Sequence, residues 1–136
     1  MSVTDQIQII AGQVREAAAA KRTLRITGAG SKAFYGQSLE GETLETRSHQ
    51  GISAYEPTEL VITARCGTSL AEIEKALADS GQILPFEPPY FGGNATFGGA
   101  IASGLSGPRR AANNGYYGAV RDYVLEIGRA SCRERV

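Results

Sequence analysis

The sequence predicts one domain that mixes α-helices with short β-strands, and three observations lead to this prediction. Apolar residues recur at helical spacing near the N-terminus, short runs of alternating β-branched residues follow, and a capping-box sequence marks a second helix. The length of 136 residues suits a single domain. Seventeen residues are glycine, about 12% against a usual ~7%. We therefore expect the backbone to approach another group closely in at least one place.

The charge balance and the lack of long apolar runs exclude several classes of protein. Fourteen basic and 14 acidic side chains give a formal net charge of zero, which argues against nucleic-acid binding, because nucleic-acid binders carry a basic surface. The sequence has no apolar run of about 18 residues, so it predicts no transmembrane helix, and its N-terminal segment lacks the pattern of a secretory signal. Cys66 and Cys132 have neither metal nor redox spacing. We expect a cytoplasmic protein without a bound metal.

The first elements are a helix and a short strand. Thr4 and Asp5 offer N-cap oxygens, and the predicted helix ends near residues 21–22. Its apolar face consists of Ile7, Ile10, Ala11, Val14 and Ala18. Residues 23–27 alternate and are rich in β-branched side chains, which predicts a strand that leads directly into a glycine loop.

Strand and helix signals alternate again further along the chain. Short strand segments are expected around Leu44, and residues 59–66 predict a longer strand with its last residue, a cysteine, in the core. Ser69 begins a capping box and therefore a helix, which Gly81 is expected to end. Residues 83–90 contain three prolines, which predict an extended linker at a subdomain boundary.

The glycine loop after the first strand is a candidate anion-binding segment. Because small residues leave the backbone accessible, its N–H groups can converge on an anion, assisted by a serine hydroxyl and a lysine ammonium. A tight strand-terminal turn with a solvated lysine fits these residues equally well. The spacing Gly28-x-Gly30-x-x-Ala33 satisfies a loose dinucleotide-binding pattern, but the residues that follow lack the helix which that pattern requires.

A second small-residue segment covers residues 95–104, and two interpretations of it stay open. Its Gly98-Gly99 pair can open a short helix whose free N–H groups point toward a ligand. The same glycines can instead allow close packing of that helix, which is the favoured interpretation when the segment is taken alone. Two such segments in one short chain fit two walls of a site for an extended, phosphate-bearing cofactor.

Six motifs occur in an order typical of a known family. They are GAGSK at 28–32, YEPTELVITA at 55–64, GTSLAE at 67–72, ATFGGAIASG at 95–104, GPRR at 107–110 and VRDYVL at 120–125. Together they resemble the N-terminal part of an FAD-binding domain of the vanillyl-alcohol-oxidase type, also called the PCMH type. The last two motifs resemble, more narrowly, the FAD-binding subunits of bacterial glycolate oxidases. The resemblance spans residues 3–126.

The resemblance implies an α+β fold with FAD between two subdomains. Residues 1–90 would form the first subdomain, of helix, mixed sheet and helix, and residues 91–126 the opening of a larger antiparallel one. In this family the first glycine loop wraps the FAD pyrophosphate, and the second segment lies along the cofactor from the opposite side. The positions implied to bind FAD are Gly28, Ala29, Gly30, Ser31, Lys32, Ala95, Thr96, Gly98, Gly99, Ala102, Ser103, Gly104, Gly118, Val120 and Asp122.

The loop sequence also implies how FAD is held. Some members of this family attach FAD through a histidine in the pyrophosphate loop, but residues 28–32 contain none, so we expect non-covalent FAD. His49 lies in a polar stretch and is expected at the surface. No catalytic residue is assigned, because the substrate-side residues of the family lie mostly beyond residue 126.

The activity implied by the resemblance is the oxidation of glycolate, a small 2-hydroxy acid, to glyoxylate. The partners implied are a homologous flavin subunit and an iron–sulfur subunit, in the cytoplasm or peripheral to the inner membrane through that complex. D-Lactate dehydrogenases belong to the same family and are one alternative. A non-catalytic interaction subunit that keeps the fold is another, and a nicotinamide-binding domain is disfavoured by the missing helix after the glycine loop.

Residues 127–136, with the sequence IGRASCRERV, interrupt the pattern of the preceding chain. Back-translated, they resemble a sequencing-library adapter, so we interpret them as a non-native tail and expect them to pack against nothing. A genuine basic C-terminus is the alternative. On the adapter interpretation, the rest of the chain is the front part of a longer protein.

Overall fold

A computed structural model describes residues 3–108, 124–125 and 130–131. The elements in chain order are helix α1 (Val3–Ala19), strands β1 (Leu24–Thr27), β2 (Glu42–Glu45) and β3 (Ile52–Glu56), a 3-10 turn (Pro57–Glu59), strand β4 (Val61–Ala64), helices α2 (Leu70–Ala78) and α3 (Phe97–Ser103), and strands β5 (Val124–Leu125) and β6 (Ala130–Ser131). Helices and short strands thus occur together in the described residues, as expected for an α+β domain.

The described strands pair two by two. β1 and β2 run parallel, with Thr27 opposite Glu45 at one end, whereas β3 and β4 run antiparallel. Parallel strands cannot be joined by a tight turn and need a crossover connection, which is usually helical. Here the crossover is residues 28–41, which contain no helix and begin with the glycine loop. The parallel pairing therefore fixes both ends of the segment that carries the loop.

The core lies between α2 and α3. Ser69 caps α2 by accepting a hydrogen bond from the Glu72 N–H at 3.2 Å, so the helix begins where the capping-box sequence predicted. Burying an aliphatic or aromatic side chain contributes about 1.5–3 kcal/mol, and five members of this cluster are large side chains of this kind. Its buried members are Ala64, Leu70, Ile73, Leu77, Ala95, Phe97, Ala100 and Ile101. Packing of α3 on α2 therefore holds the second glycine segment in place.

Helix α1 and the strand predicted at 59–66 both differ from expectation at their ends. The helix begins one residue before Thr4 and ends at Ala19, and Lys21 beyond it has a left-handed φ of +53°. The strand is shorter because Pro57 opens a 3-10 turn, which ends at Leu60 with φ +58°. Proline fixes its own φ and removes a donor, so it favours a turn here.

Strand β3 is an element that the sequence prediction missed. Its residues, ISAYE, have only a weak alternation and follow a polar stretch. Pairing with β4, rather than its own pattern, makes this segment a strand. Tertiary context commonly decides the structure of such short segments.

The expectation that residues 127–136 pack against nothing is wrong for two of them. Ala130–Ser131 pairs antiparallel with Val124–Leu125, so this part of the tail makes backbone contacts. Separately, none of the helices in the described ranges has the length and apolarity that crossing a membrane requires.

Candidate functional site

A cleft of about 520 Å³ opens where β1 ends, between the two small-residue segments. The glycine loop forms one wall, and the start and exposed side of α3 form the other. Nine of the predicted positions line it: Gly28, Ala29, Gly30, Ser31, Lys32, Thr96, Gly99, Ala102 and Ser103. The structure therefore brings together two segments that are more than sixty residues apart in the sequence.

The backbone N–H groups of the glycine loop are available to a ligand. Within residues 3–108, no protein group accepts a hydrogen bond from the N–H groups of residues 28–32. Gly30 adopts a left-handed φ of +71°, which glycine tolerates without a steric penalty. Successive N–H groups in such a loop form a concavity suited to anions, and they need water or a ligand as partners. Anionic oxygens are one class of acceptor for such N–H groups.

Lys32 gives this wall a cationic group. Its ammonium lies over the ring of Phe91, with Nζ 6.0 Å from the ring centroid. Partial burial lowers the pKa of Lys32. The lysine lines the cleft together with the glycine loop.

Thr96 joins the two walls. A Cβ added at Gly28 would lie 2.6 Å from the Thr96 Oγ1 atom, closer than real side chains approach. The same Oγ1 accepts a hydrogen bond from the Gly99 N–H at 3.2 Å and so caps α3. Thr96 is itself buried. One buried hydroxyl thus sets the separation between the loop and the helix.

Of the two interpretations of the start of α3, the one with free N–H donors does not hold. The N–H of Phe97 donates to the Thr68 carbonyl at 2.8 Å, and the N–H of Gly98 donates to the Cys66 carbonyl at 2.9 Å. The cap described above occupies the Gly99 N–H. The segment at residues 66–68 lies alongside the start of the helix, and its carbonyl groups accept these hydrogen bonds. The second wall therefore offers small side chains and a hydroxyl rather than backbone donors.

Gly98 follows the packing interpretation rather than the ligand interpretation. A Cβ at this position would lie 2.7 Å from the Cys66 Cβ and 3.0 Å from the Cys66 carbonyl oxygen. Gly98 does not line the cleft. Cys66 is buried, as predicted, and burial raises the pKa of its thiol. Gly98 is thus a close-packing position behind the cleft wall.

The remaining predicted positions are outside the cleft or outside the described residues. Ala95 is buried in the core and its carbonyl accepts a hydrogen bond from the Leu70 N–H. Gly104 ends α3 with φ +62°. Neither lines the cleft. The predicted positions Gly118, Val120 and Asp122 lie outside the residues that the structure describes.

Residues that the sequence prediction missed also line the cleft. They come from β1 and from the polar stretch after the glycine loop: Arg25, Ile26, Thr27, Ala33, Tyr35, Gln37, Ser38 and Leu39. The polar stretch carried no motif, so only the crossover geometry could have placed it beside the loop.

A second recess, of about 500 Å³, lies on the other side of Thr96. Polar groups dominate its lining: Glu45, Arg47, Ser48, Gln50, Gly67, Ser69, Asn94 and Thr96. The neighbouring His49 is fully buried, so its expected surface position is wrong. The polar sequence around it signalled exposure, but the loop from 46 to 50 folds back and its Thr46 and His49 carbonyls crowd Gly67.

Comparison with known proteins assigns the family. A family model described as an FAD binding domain matches residues 4–128. The chain is 52% identical over 121 residues to the glycolate oxidase subunit GlcE of Escherichia coli strain K12. That match covers 89% of this chain and 33% of the subunit, so the chain spans about a third of the length of this relative. No solved structure matches.

These matches confirm the resemblance inferred from the order of the motifs, together with the α+β class and FAD as the cofactor. The family match covers both the glycine loop and the residues of α3 that line the cleft. The chain belongs to the FAD-binding domain family.

Proposed function

We propose that this chain is the FAD-binding part of a subunit that oxidises glycolate to glyoxylate within a multi-subunit oxidase. The observation that carries the proposal is the 52% identity to a glycolate oxidase subunit across nearly the whole chain. In the proposed reaction, glycolate would lose a hydride from its carbon and a proton from its hydroxyl group to water, and FAD held in the cleft would serve as the two-electron oxidant. The protein supplies binding, orientation and electrostatics, while the flavin supplies the redox chemistry.

The cleft supports a specific orientation for the cofactor. The N–H groups of residues 28–32 and the Lys32 ammonium would hold the diphosphate, since both donate to anionic oxygens. Ala102 and Ser103 would bound the cofactor on the opposite side. Gly118, Val120 and Asp122 complete the proposed set, in the part of the sequence that the family match also covers. FAD would be held without a covalent bond.

We place the subdomain boundary at residue 90, within the linker between α2 and α3. Residues 83–95 contain no helix or strand and connect α2 to α3. On this proposal, residues 1–90 form the first FAD-binding subdomain, and residues 91–126 begin the second. Residues 127–136 would be the non-native tail. A homologous flavin subunit and an iron–sulfur subunit are the proposed partners, with the complex in the cytoplasm or peripheral to the inner membrane.

The test is the visible spectrum and dye-linked activity of the full-length protein in its complex. We expect flavin absorption bands and reduction of an artificial electron acceptor that depends on glycolate. Flavin bands with D-lactate as the better substrate would favour the D-lactate dehydrogenase alternative. A protein purified without flavin, and unable to take it up, would favour the non-catalytic interaction subunit and contradict the proposal.

A further inference from the structure

Phe91 has an unusual backbone conformation for a bulky residue. Its φ is +43°, in the left-handed region that large L-residues rarely adopt. It lies in the linker between α2 and α3, followed by Gly92 and Gly93, which also have positive φ values. Such conformations persist only where the surroundings over-determine them, and they concentrate at functional sites. The contacts of Phe91 therefore need an explanation.

The preceding residue anchors the linker on one side. The Tyr90 hydroxyl donates to the Glu74 carboxylate on α2, and Tyr90 packs against the core cluster. Burial raises the pKa of Tyr90, and the bond to the Glu74 carboxylate raises it further. Because Tyr90 is fixed on α2, the left-handed conformation of Phe91 directs the Phe91 ring toward the glycine loop.

The Phe91 ring contacts two residues of the glycine loop region. It meets the Phe34 ring edge-on, with centroids 5.1 Å apart at 77°, and the Lys32 ammonium lies over its face. Lys32 lines the cleft, whereas Phe34 and Phe91 do not. Phe91 is 47% exposed and Phe34 is 69% exposed, so this pair buries too little area to matter much for stability. The ring therefore supports the cleft wall from behind.

We propose that Phe91 is a positioning residue for the diphosphate of FAD, acting through Lys32. The inference rests on the proposed function, in which the glycine loop meets the diphosphate. A carboxylate could also hold the lysine, but it would neutralise the charge that a phosphate needs. An aromatic face attracts an ammonium electrostatically and leaves its charge uncancelled. The ring thus orders Lys32 without competing with the ligand.

The experiment measures FAD affinity of the full-length protein by flavin fluorescence titration after the flavin is removed. The variants are Phe91→Leu, Phe91→Tyr and Lys32→Met, together with the double variant of Phe91→Leu and Lys32→Met. From the usual strength of an exposed cation–π contact, Phe91→Leu should weaken FAD binding about two- to fivefold. Phe91→Tyr keeps the ring and should retain the affinity. In the Lys32→Met background, Phe91→Leu should change nothing further.

A second variant separates positioning from folding. Phe91→Gly accepts the left-handed backbone without strain, so its melting temperature should not fall, while its FAD affinity should fall as in Phe91→Leu. Additive effects of Phe91→Leu and Lys32→Met, or unchanged affinity in Phe91→Leu, would overturn the inference. If the wild-type protein fails to bind FAD at all, the proposed function fails as well. If it binds FAD and Phe91→Leu is neutral, only this inference fails.

Discussion

Substituting Gly28 by alanine should disturb both walls of the cleft at once. The added Cβ would lie 2.6 Å from the Thr96 Oγ1, whereas its next neighbours are 3.7 Å away. Either Thr96 rotates and loses the cap on α3, which costs about 1 kcal/mol, or the loop moves, and overpacking of this kind costs about 1–3 kcal/mol. We expect the free energy of unfolding to fall by about 1–3 kcal/mol, a range set by these two routes. Urea unfolding of the flavin-free protein measures this loss.

The matched comparison adds Thr96→Ala to Gly28→Ala. Removing Oγ1 removes the overlap, so the double variant should be about as stable as Thr96→Ala alone. Gly30→Ala is the control, because no atom lies within 4 Å of its added Cβ and only its left-handed φ is penalised. Its cost should be about 1–2 kcal/mol and independent of Thr96. If the effects of Gly28→Ala and Thr96→Ala on the free energy of unfolding are additive, the close approach of Thr96 Oγ1 is not the reason that position 28 requires glycine.

Four further outcomes are expected. Gly98→Ala should destabilise the protein by about 1–3 kcal/mol, because its Cβ would meet Cys66 Cβ and backbone; an unchanged melting temperature would contradict this. In a chain ending at residue 126, the Cys66 thiol should resist alkylation at pH 8 until the protein unfolds, because burial raises its pKa. For the same reason, the contribution of Cys66 to the free energy of unfolding should fall as the pH rises from the ordinary thiol pKa to the raised one. Acid precipitation of the full-length protein should release all flavin into the supernatant, and yellow colour in the pellet would refute non-covalent binding. The 1–126 fragment should bind FAD far more weakly than the full-length protein, because ordering each loop residue costs about 1–2 kcal/mol; submicromolar binding by the fragment would refute this.

Local signals predicted the elements that depend on local physics. The capping box at Ser69 begins α2, and the alternation of residues 23–27 gives β1, because these preferences act within a few residues. The candidate site was predicted as two walls, and the glycine loop lines the cleft as expected. What the sequence could not indicate were the partners of the backbone. The N–H groups of Phe97 and Gly98 donate to carbonyl groups of residues 66–68, which lie about thirty positions earlier.

The errors at His49 and Gly98 have the same origin. A polar run predicts exposure and a glycine pair predicts either packing or ligand contact, but neither pattern contains the position of the facing segment. The 46–50 loop buries its histidine by folding onto Gly67, and Gly98 is a packing position because Cys66 lies against it. Long-range contacts decided both cases.

The helix-free crossover between β1 and β2 has a consequence for how this protein would handle its cofactor. In most parallel strand pairs a helix makes the connection rigid before any ligand arrives, but residues 28–41 depend for their order on what they touch. Cofactor binding and strand pairing then become one linked equilibrium, because a ligand that orders the loop also restrains the two strand ends that flank it. Amide hydrogen exchange in β1 and β2 should therefore slow when FAD binds, and a protease should cut the cofactor-free protein preferentially between Thr27 and Glu42.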